Sequence, residues 1–164
     1  MLEGLADLFE TEVRITCRRY DELAPQDPLI GIGLMCDDGI ISFASYLLSA
    51  SMLPAEAAAD FRFNPMDWEP CSEIRELAEV NLLLQQVKSE VDDSNFPQYA
   101  RRVFDACIEA LARLNLHDLY GSELFITMGG VDPTDLLEHE EYRFVERVNR
   151  PATYEAWLRD YAWK

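Results

Sequence analysis

Acidic side chains are the residues of this chain whose types and spacing could do chemistry. One group follows the apolar run 124–128 and consists of Asp132, Asp135, Glu138, Glu140 and Glu141. A second acidic pair, Asp37-Asp38, precedes Gly39. Carboxylates in such groups can bind a hard cation, transfer protons or attract a basic partner. The ligand spacing of a calcium-binding loop is absent, and acid in the first turns of a helix complements the helix dipole.

The other reactive residue types form no catalytic pattern. The cysteines are Cys17, Cys36, Cys71 and Cys107, and the histidines are His117 and His139. They lack the paired spacing of zinc ligands. A nucleophile–base pair of Cys71 or Cys107 with His117 can be imagined, but nothing in the sequence places the two side chains together. Gly129-Gly130 lacks the other residues of a phosphate-binding loop. We therefore predict no catalytic residue, no cofactor and no metal.

The charge balance limits the classes of partner. Fourteen Lys and Arg stand against 31 Asp and Glu, which gives a formal net charge of −17 in 164 residues. The hydrophobic fraction of 49% is enough for a core, so the acidity does not indicate a disordered tail. Such a charge repels phosphate backbones and anionic lipids, which argues against nucleic acid and membrane partners. Acid near the N-terminus and the short apolar runs predict a cytoplasmic protein.

The first predicted elements are an amphipathic helix and a β-hairpin. Apolar residues recur every three or four positions over residues 2–23. The β-rich runs 29–36 and 40–48 flank Asp37-Asp38-Gly39, and an Asp-Gly turn is typical of a hairpin because glycine supplies positive φ. Gly31 and Gly33 share one face of the first strand, where a helix or a second backbone could pack closely.

The middle of the chain mixes short and long elements. Pro54 predicts the start of a short helix, and alternation of Phe61 and Phe63 predicts a third strand. Two long helices are predicted, one from Ser72 to about residue 93 and one from about 95 to 116.

The last third is predicted to hold one strand and two helices. Residues 124–128 form a short apolar run that indicates a strand buried on both faces. Asp132 as cap and Pro133 as first residue predict the next helix, and Pro151 begins the last one. Early strands and late helices together predict an α+β fold in a single domain over 1–164. It would be a small, mainly antiparallel sheet with the N-terminal hairpin, packed by three long helices and followed by C-terminal helices.

Three segments, together with the two long helices, carry a wider pattern. They are Phe61–Trp68, the strand Leu124–Met128, and Val148-Asn149-Arg150-Pro151 before a Trp/Tyr-rich helix. In this pattern, from about residue 2 to 163, the chain resembles an uncharacterised bacterial family, domain of unknown function 4303. The family has a Ser-Asp pair after the strand where this chain has Gly129-Gly130-Val131-Asp132. The resemblance implies no activity, although some relatives are similar to the immunity proteins of toxin systems.

Two classes of function remain on these grounds. The first is an acidic cytoplasmic protein-binding module, in its sharpest form an immunity-type protein that neutralises a basic toxin. Its predicted acidic face consists of Asp37, Asp38, Asp132, Asp135, Glu138, Glu140 and Glu141. The second is a small hydrolase-like enzyme with an unidentified carboxylate site, and an oligomeric scaffold is the remaining alternative. The sequence leaves the oligomeric state open.

Overall fold

The computed structural model describes residues 2–53, 61–68, 75–130 and 134–161. The strands are β1 (Leu29–Cys36), β2 (Phe43–Ser49), β3 (Arg75–Glu76) and β4 (Phe125–Gly130). The helices before β4 are α1 (Leu5–Leu23), α2 (Pro65–Trp68), α3 (Ala78–Val87), α4 (Phe96–Leu114) and α5 (Leu116–Tyr120). After β4 come α6 (Asp135–Val148) and α7 (Pro151–Asp160). The predicted helix at Pro54 lies outside the described residues.

The sheet has the strand order β3-β2-β1-β4. β1 pairs antiparallel with β2, and β2 pairs antiparallel with β3. β4 instead pairs parallel with β1, in a register that matches Gly31 with Phe125 and Cys36 with Gly130. A parallel neighbour needs a crossover connection, and the helices between β3 and β4 provide it. The α+β class and the hairpin are thus confirmed, and the sheet is mixed.

The hairpin turn differs from the predicted one in where its positive φ lies. Ile40 has φ 51°, while Gly39 is not in the left-handed region. The turn is held by Asp37: its backbone oxygen accepts from Ile40 N at 2.9 Å, and its carboxylate accepts from Ile41 N at 2.8 Å. The Tyr99 hydroxyl donates to the Ile40 carbonyl at 2.6 Å. β2 therefore begins at Phe43, three residues later than the sequence predicted.

The predicted third strand at Phe61 and Phe63 is wrong. Residues Phe61–Phe63 form a 3-10 turn, and the third strand is Arg75–Glu76. The alternating aromatic residues arise from packing: Phe63 meets the edge of Phe125 at 5.0 Å, and the Trp68 indole donates to the Phe61 carbonyl at 2.8 Å. An aromatic pair in a tight turn gives the same sequence pattern as a half-buried strand.

The two glycines of β1 provide the close packing that was predicted for them. A methyl group built at Gly31 would lie 2.7 Å from the Trp68 ring, and one at Gly33 would lie 2.6 Å from Pro65. Helix α2 therefore rests directly on the β1 backbone. The opposite face of the sheet packs on the long helices, as the edge contact of Phe9 with Phe43 at 5.4 Å illustrates. Both faces of the sheet are covered.

Helix boundaries depart from the prediction at local backbone features. Asn115 has φ 50°, so α4 ends at Leu114 and the predicted helix over 95–116 is divided. α6 begins at Asp135 because Thr134 is its cap, accepting from Leu137 N, which corrects the predicted cap at Asp132. Asp132 and Pro133 lie outside the described residues, as does Ser72, where the predicted second long helix begins.

Two buried asparagines form side-chain hydrogen bonds with the backbone of strand residues. The Asn149 side chain accepts from Ile126 N at 2.8 Å and donates to Ile126 O at 2.6 Å. Asn81 does the same for Phe43, at 2.6 and 3.1 Å. Each side-chain amide forms the pair of hydrogen bonds that a residue of a neighbouring strand would form, because it has both a donor and an acceptor.

Candidate functional site

The acidic end of the sheet is the edge at which β1 and β4 both end, and predicted site residues follow each of these strands in the sequence. Cys36 and Gly130 are register partners at the carboxyl ends of two parallel strands. The Asp37-Asp38 turn leaves the sheet at that edge, and the connection to α6 leaves from it too. Asp38, Asp135 and Glu138 are exposed there, while Asp37 is half-buried in its turn. Asp132 lies outside the described residues.

A surface groove of about 440 Å³ lies beside the hairpin turn. Its charged lining consists of Asp37, Asp38, Asp92, Asp93 and Lys88, and its apolar lining includes Ile41, Val91 and Phe96. Asp92 stays charged, because the side chain and N–H of Ser94 and the N–H of Asn95 donate to it and lower its pKa. Asp92 and Asp93 were not among the predicted site residues; the sequence analysis used that segment only as the end of a helix. Two consecutive aspartates in the sequence were the signal from which this part of the groove could have been predicted.

Glu140 is not part of the acidic surface, which corrects its predicted place in the acidic face. Its residue is 2% exposed. Its carboxylate pairs with Arg143 at 2.5 Å and with Arg101 at 3.4 Å. A buried carboxylate needs such partners, because an unpaired charge is costly to desolvate. Helix periodicity carries the signal: Glu140 lies three residues after Leu137 and four before Phe144, both buried.

Glu141 points at the sheet instead of at solvent. Its carboxylate accepts from the Thr127 hydroxyl at 3.3 Å, and a methyl group built at Gly129 would lie 3.1 Å from it. Burial, more than the nearby charge of Glu138, raises the pKa of Glu141 to about 7, against the lowering effect of Thr127. Within the part of the chain that the structure describes, no Lys or Arg forms an ion pair with it. Glu141 is therefore suited to hold a proton near neutral pH.

The cysteines and histidines do not assemble into a nucleophilic centre in the described residues. Burial raises the pKa of the Cys17 thiol to about 12, and it also raises the pKa values of the Cys36 and Cys107 thiols well above their ordinary value. Such thiols remain protonated and unreactive. The His117 ring meets the Val148 carbonyl at 2.8 Å. Cys71 lies outside the described residues.

No group of three or more His, Cys, Asp or Glu side chains is placed to hold a metal ion in residues 2–53, 61–68, 75–130 and 134–161. Over the same ranges, no helix has both the length and the apolar composition that crossing a bilayer requires.

Fold and site together define a small α+β domain with a mixed four-stranded sheet and an acidic groove at one end of it. The chain belongs to the family described as domain of unknown function DUF4303, which it matches over residues 14–150. The resemblance seen in the sequence is thereby confirmed at the level of the family. No curated protein and no solved structure matches the chain.

Proposed function

We propose that this protein is a protein-binding module that takes up a basic segment of a partner protein at the acidic end of its sheet. The observation that carries the proposal is the groove beside the hairpin turn, with Asp37, Asp38, Asp92 and Asp93 in its lining. The exposed Asp135 and Glu138 at the start of α6 extend the acidic surface.

The lining of the groove suits a chain that carries Arg or Lys among apolar residues. Among the described residues of the lining, four aspartates stand against one cation, Lys88, so the local charge is strongly negative. Ile41, Val91 and Phe96 offer apolar surface on which the methylene stems of Lys and Arg can pack while their charged ends reach the carboxylates. Complementary charge of this kind accelerates association and disfavours acidic partners.

In its sharpest form the proposal is an immunity-type protein whose partner is a basic toxin. A nuclease toxin carries positive charge because its substrate is anionic, and an acidic inhibitor complements that surface. The net charge of −17 supports this form, since the field of the whole molecule would steer a cationic partner toward it.

The experiment distinguishes the effect of the groove carboxylates on association from the effect of the net charge of the chain. The groove variant is Asp38→Lys/Asp93→Lys, at two exposed positions. The matched control is Glu22→Lys/Glu155→Lys, which changes the net charge by the same amount at exposed positions outside the groove lining. A third variant, Asp135→Lys/Glu138→Lys, tests the start of α6. Partners are captured from a lysate of the source cells at low salt, and the association rate of each purified partner is then measured.

We expect the groove variant to associate about tenfold more slowly than wild type, and the control to stay within about a factor of two. The wild-type rate should fall as salt rises, because the Debye length shrinks to about 8 Å. In the immunity form, the partner is toxic when expressed alone, and co-expression of wild type, but not of the groove variant, restores growth. Equal rates for the groove variant and the control, or a rate independent of salt, would refute the proposal.

A further inference from the structure

A second pocket lies at the other end of α4, about 22 Å from the acidic groove along the helix axis. Phe96, the first residue of α4, lines the groove, whereas Leu111, in its last turn, lines the pocket. The pocket encloses about 210 Å³ between the carboxyl ends of α4 and α6. It goes beyond the proposed function, since it shares no residue with the groove.

The charge of this pocket is opposite to that of the chain. His117, Arg147 and Arg150 line it, and no Asp or Glu does within the described part of the chain. Arg150 pairs with Asp118 at 3.0 Å. Arg147 has no ion-pair partner among the described residues. A chain with 31 acidic residues thus has a free guanidinium at the mouth of a cavity without acidic lining.

His117 adds an unpaired polar atom. One ring nitrogen, Nε2, is 2.8 Å from the Val148 carbonyl, so it carries the hydrogen and donates. The other, Nδ1, is buried and has no hydrogen-bond partner among the described residues. An unpaired buried polar atom is costly and uncommon, which makes it a marker of a missing partner.

The remaining lining is largely apolar. Ile108, Leu111, Leu116 and Ile126 contribute to the walls. A fully hydrated inorganic anion does not complement such walls, whereas a small organic acid does: its carboxylate can pair with a guanidinium while its hydrocarbon body contacts the aliphatic side chains.

The helix dipole explains only part of this arrangement. Arg147 in the last turn of α6 is favoured by the partial negative charge of the helix end. That effect accounts for a cation at the helix end. It does not account for a pocket of about 210 Å³ that has aliphatic side chains in its walls, or for the unpartnered Nδ1 of His117.

We propose that the pocket between the ends of α4 and α6 binds a small organic carboxylate, with Arg147 and Arg150 as its cationic partners and His117 beside them. The ligand class follows from the guanidinium pair, the apolar walls and the volume of the cavity.

The test uses butyrate, 2-hydroxybutyrate and inorganic phosphate as probes, each titrated into the intact protein at fixed pH and constant ionic strength. The chain contains two histidines, so their ring resonances are resolved by NMR, and His139 on the exposed face of α6 is an internal control. The pocket variant is Arg147→Gln/Arg150→Gln. The matched control is Arg18→Gln/Arg102→Gln, which removes two exposed arginines elsewhere.

We expect both carboxylates to shift the His117 resonances saturably at millimolar concentration and to leave His139 unchanged. Phosphate should bind more weakly than either carboxylate. The pocket variant should bind butyrate about tenfold more weakly while the control matches wild type. A flat His117 response, equal loss in both variants, or tighter binding of phosphate than of the carboxylates would overturn the proposal. Urea unfolding of both variants verifies that they are folded.

Discussion

The two ends of α4 present opposite chemistry on one helix. At the first turn lies a groove with four aspartates and one lysine; at the last lies a pocket with two arginines and a histidine. Both arrangements agree with the helix macrodipole, which favours anions at the first turn and cations at the last. The comparison teaches that a net charge of −17 describes the molecule as a whole and says little about any one site. Partner classes must be argued site by site.

Each end also holds a residue in the left-handed region, and the two are fixed differently. Ile40, beside the groove, has φ 51°, and Asn115, in the pocket, has φ 50°. The buried Ile40 is held by the hydroxyl of Tyr99 on its carbonyl. The exposed Asn115 is a residue type that tolerates this region, and its side chain bonds to Asp118. The backbone of Ile40 is therefore held by a contact from the core, and that of Asn115 by a local hydrogen bond.

The largest expected effect comes from the asparagine that closes the pocket end of the sheet. Asn149→Leu would leave the Ile126 N–H and C=O buried without partners. We expect the free energy of unfolding to fall by about 3–4 kcal/mol, because each unsatisfied buried backbone group costs about 1–3 kcal/mol. Asn81→Leu should cost less, about 1–3 kcal/mol, because only the Phe43 N–H loses its partner. The Phe43 carbonyl still accepts from the Leu77 N–H at 3.0 Å. Urea denaturation measures both.

Gln85→Leu serves as the control for this pair, because it makes the same kind of replacement at an exposed position of α3. It should change the free energy of unfolding by less than about 0.5 kcal/mol. If Asn149→Leu were as mild as Gln85→Leu, the amide would not be what satisfies the outer edge of β4.

A smaller effect, confined to the acidic end, is the dependence of stability on pH. The pKa of Glu141 rises from 4.5 to about 7 on folding, so the folded state binds its proton more tightly than the unfolded chain does. Its favourable contribution is therefore complete below about pH 4.5 and is lost as the pH rises through 7. Relative to wild type, Glu141→Gln should gain about 2 kcal/mol of unfolding free energy between pH 5 and pH 8.

The comparison for this measurement is Glu138→Gln, at an exposed carboxylate one turn earlier on α6. It should shift the wild-type pH profile only slightly, since Glu138 is a secondary cause of the raised pKa. A constant offset between Glu141→Gln and wild type across this pH range would show that Glu141 titrates alike in the folded and unfolded states.

The smallest expected effect lies at Asn115. Asn115→Gly should alter the free energy of unfolding by less than about 0.5 kcal/mol, because both residue types adopt positive φ readily. Asn115→Ala should cost about 1 kcal/mol, since an alanine in the left-handed region is strained. Thermal unfolding resolves the two. Equal melting temperatures for the Gly and Ala variants would mean that the backbone relaxes and that φ at residue 115 is not fixed by the fold.

Sequence reasoning succeeded where the determinants are local. The hairpin, the start of the last helix at Pro151 and the close approach at Gly31 and Gly33 all follow from neighbouring residues. It failed where distant segments decide. The Phe61–Phe63 turn looks like a strand until Trp68 and β4 are in place. No local pattern showed that residues 125–130 would lie parallel to β1.

The candidate site shows the same division. Asp37 and Asp38 could be found because an Asp-Gly turn is a local signal. Their neighbours in the groove, Asp92 and Asp93, come from a turn that tertiary packing brings to the hairpin, more than 50 positions away in the chain. The prediction placed Glu140 in the acidic face because its side chain is charged. Its helical position, three residues after Leu137 and four before Phe144, indicates burial instead. The cationic pocket was not predicted, because it forms only where the carboxyl ends of α4 and α6 meet in the folded chain.

The contact of α2 with β1 constrains how related sequences can diverge. A side chain larger than hydrogen at position 31 or 33 collides with Trp68 or Pro65 at under 3 Å. Substitutions at positions 31 and 68, and at positions 33 and 65, are therefore expected to occur as pairs. An alanine at 31 is compatible with a smaller residue at 68, and a tryptophan at 68 requires glycine at 31. Within the DUF4303 family, positions 31 and 68 are expected to covary as a pair, and ancestral reconstructions should place the two replacements on the same branch. A single historical change at either position would have passed through a destabilised intermediate.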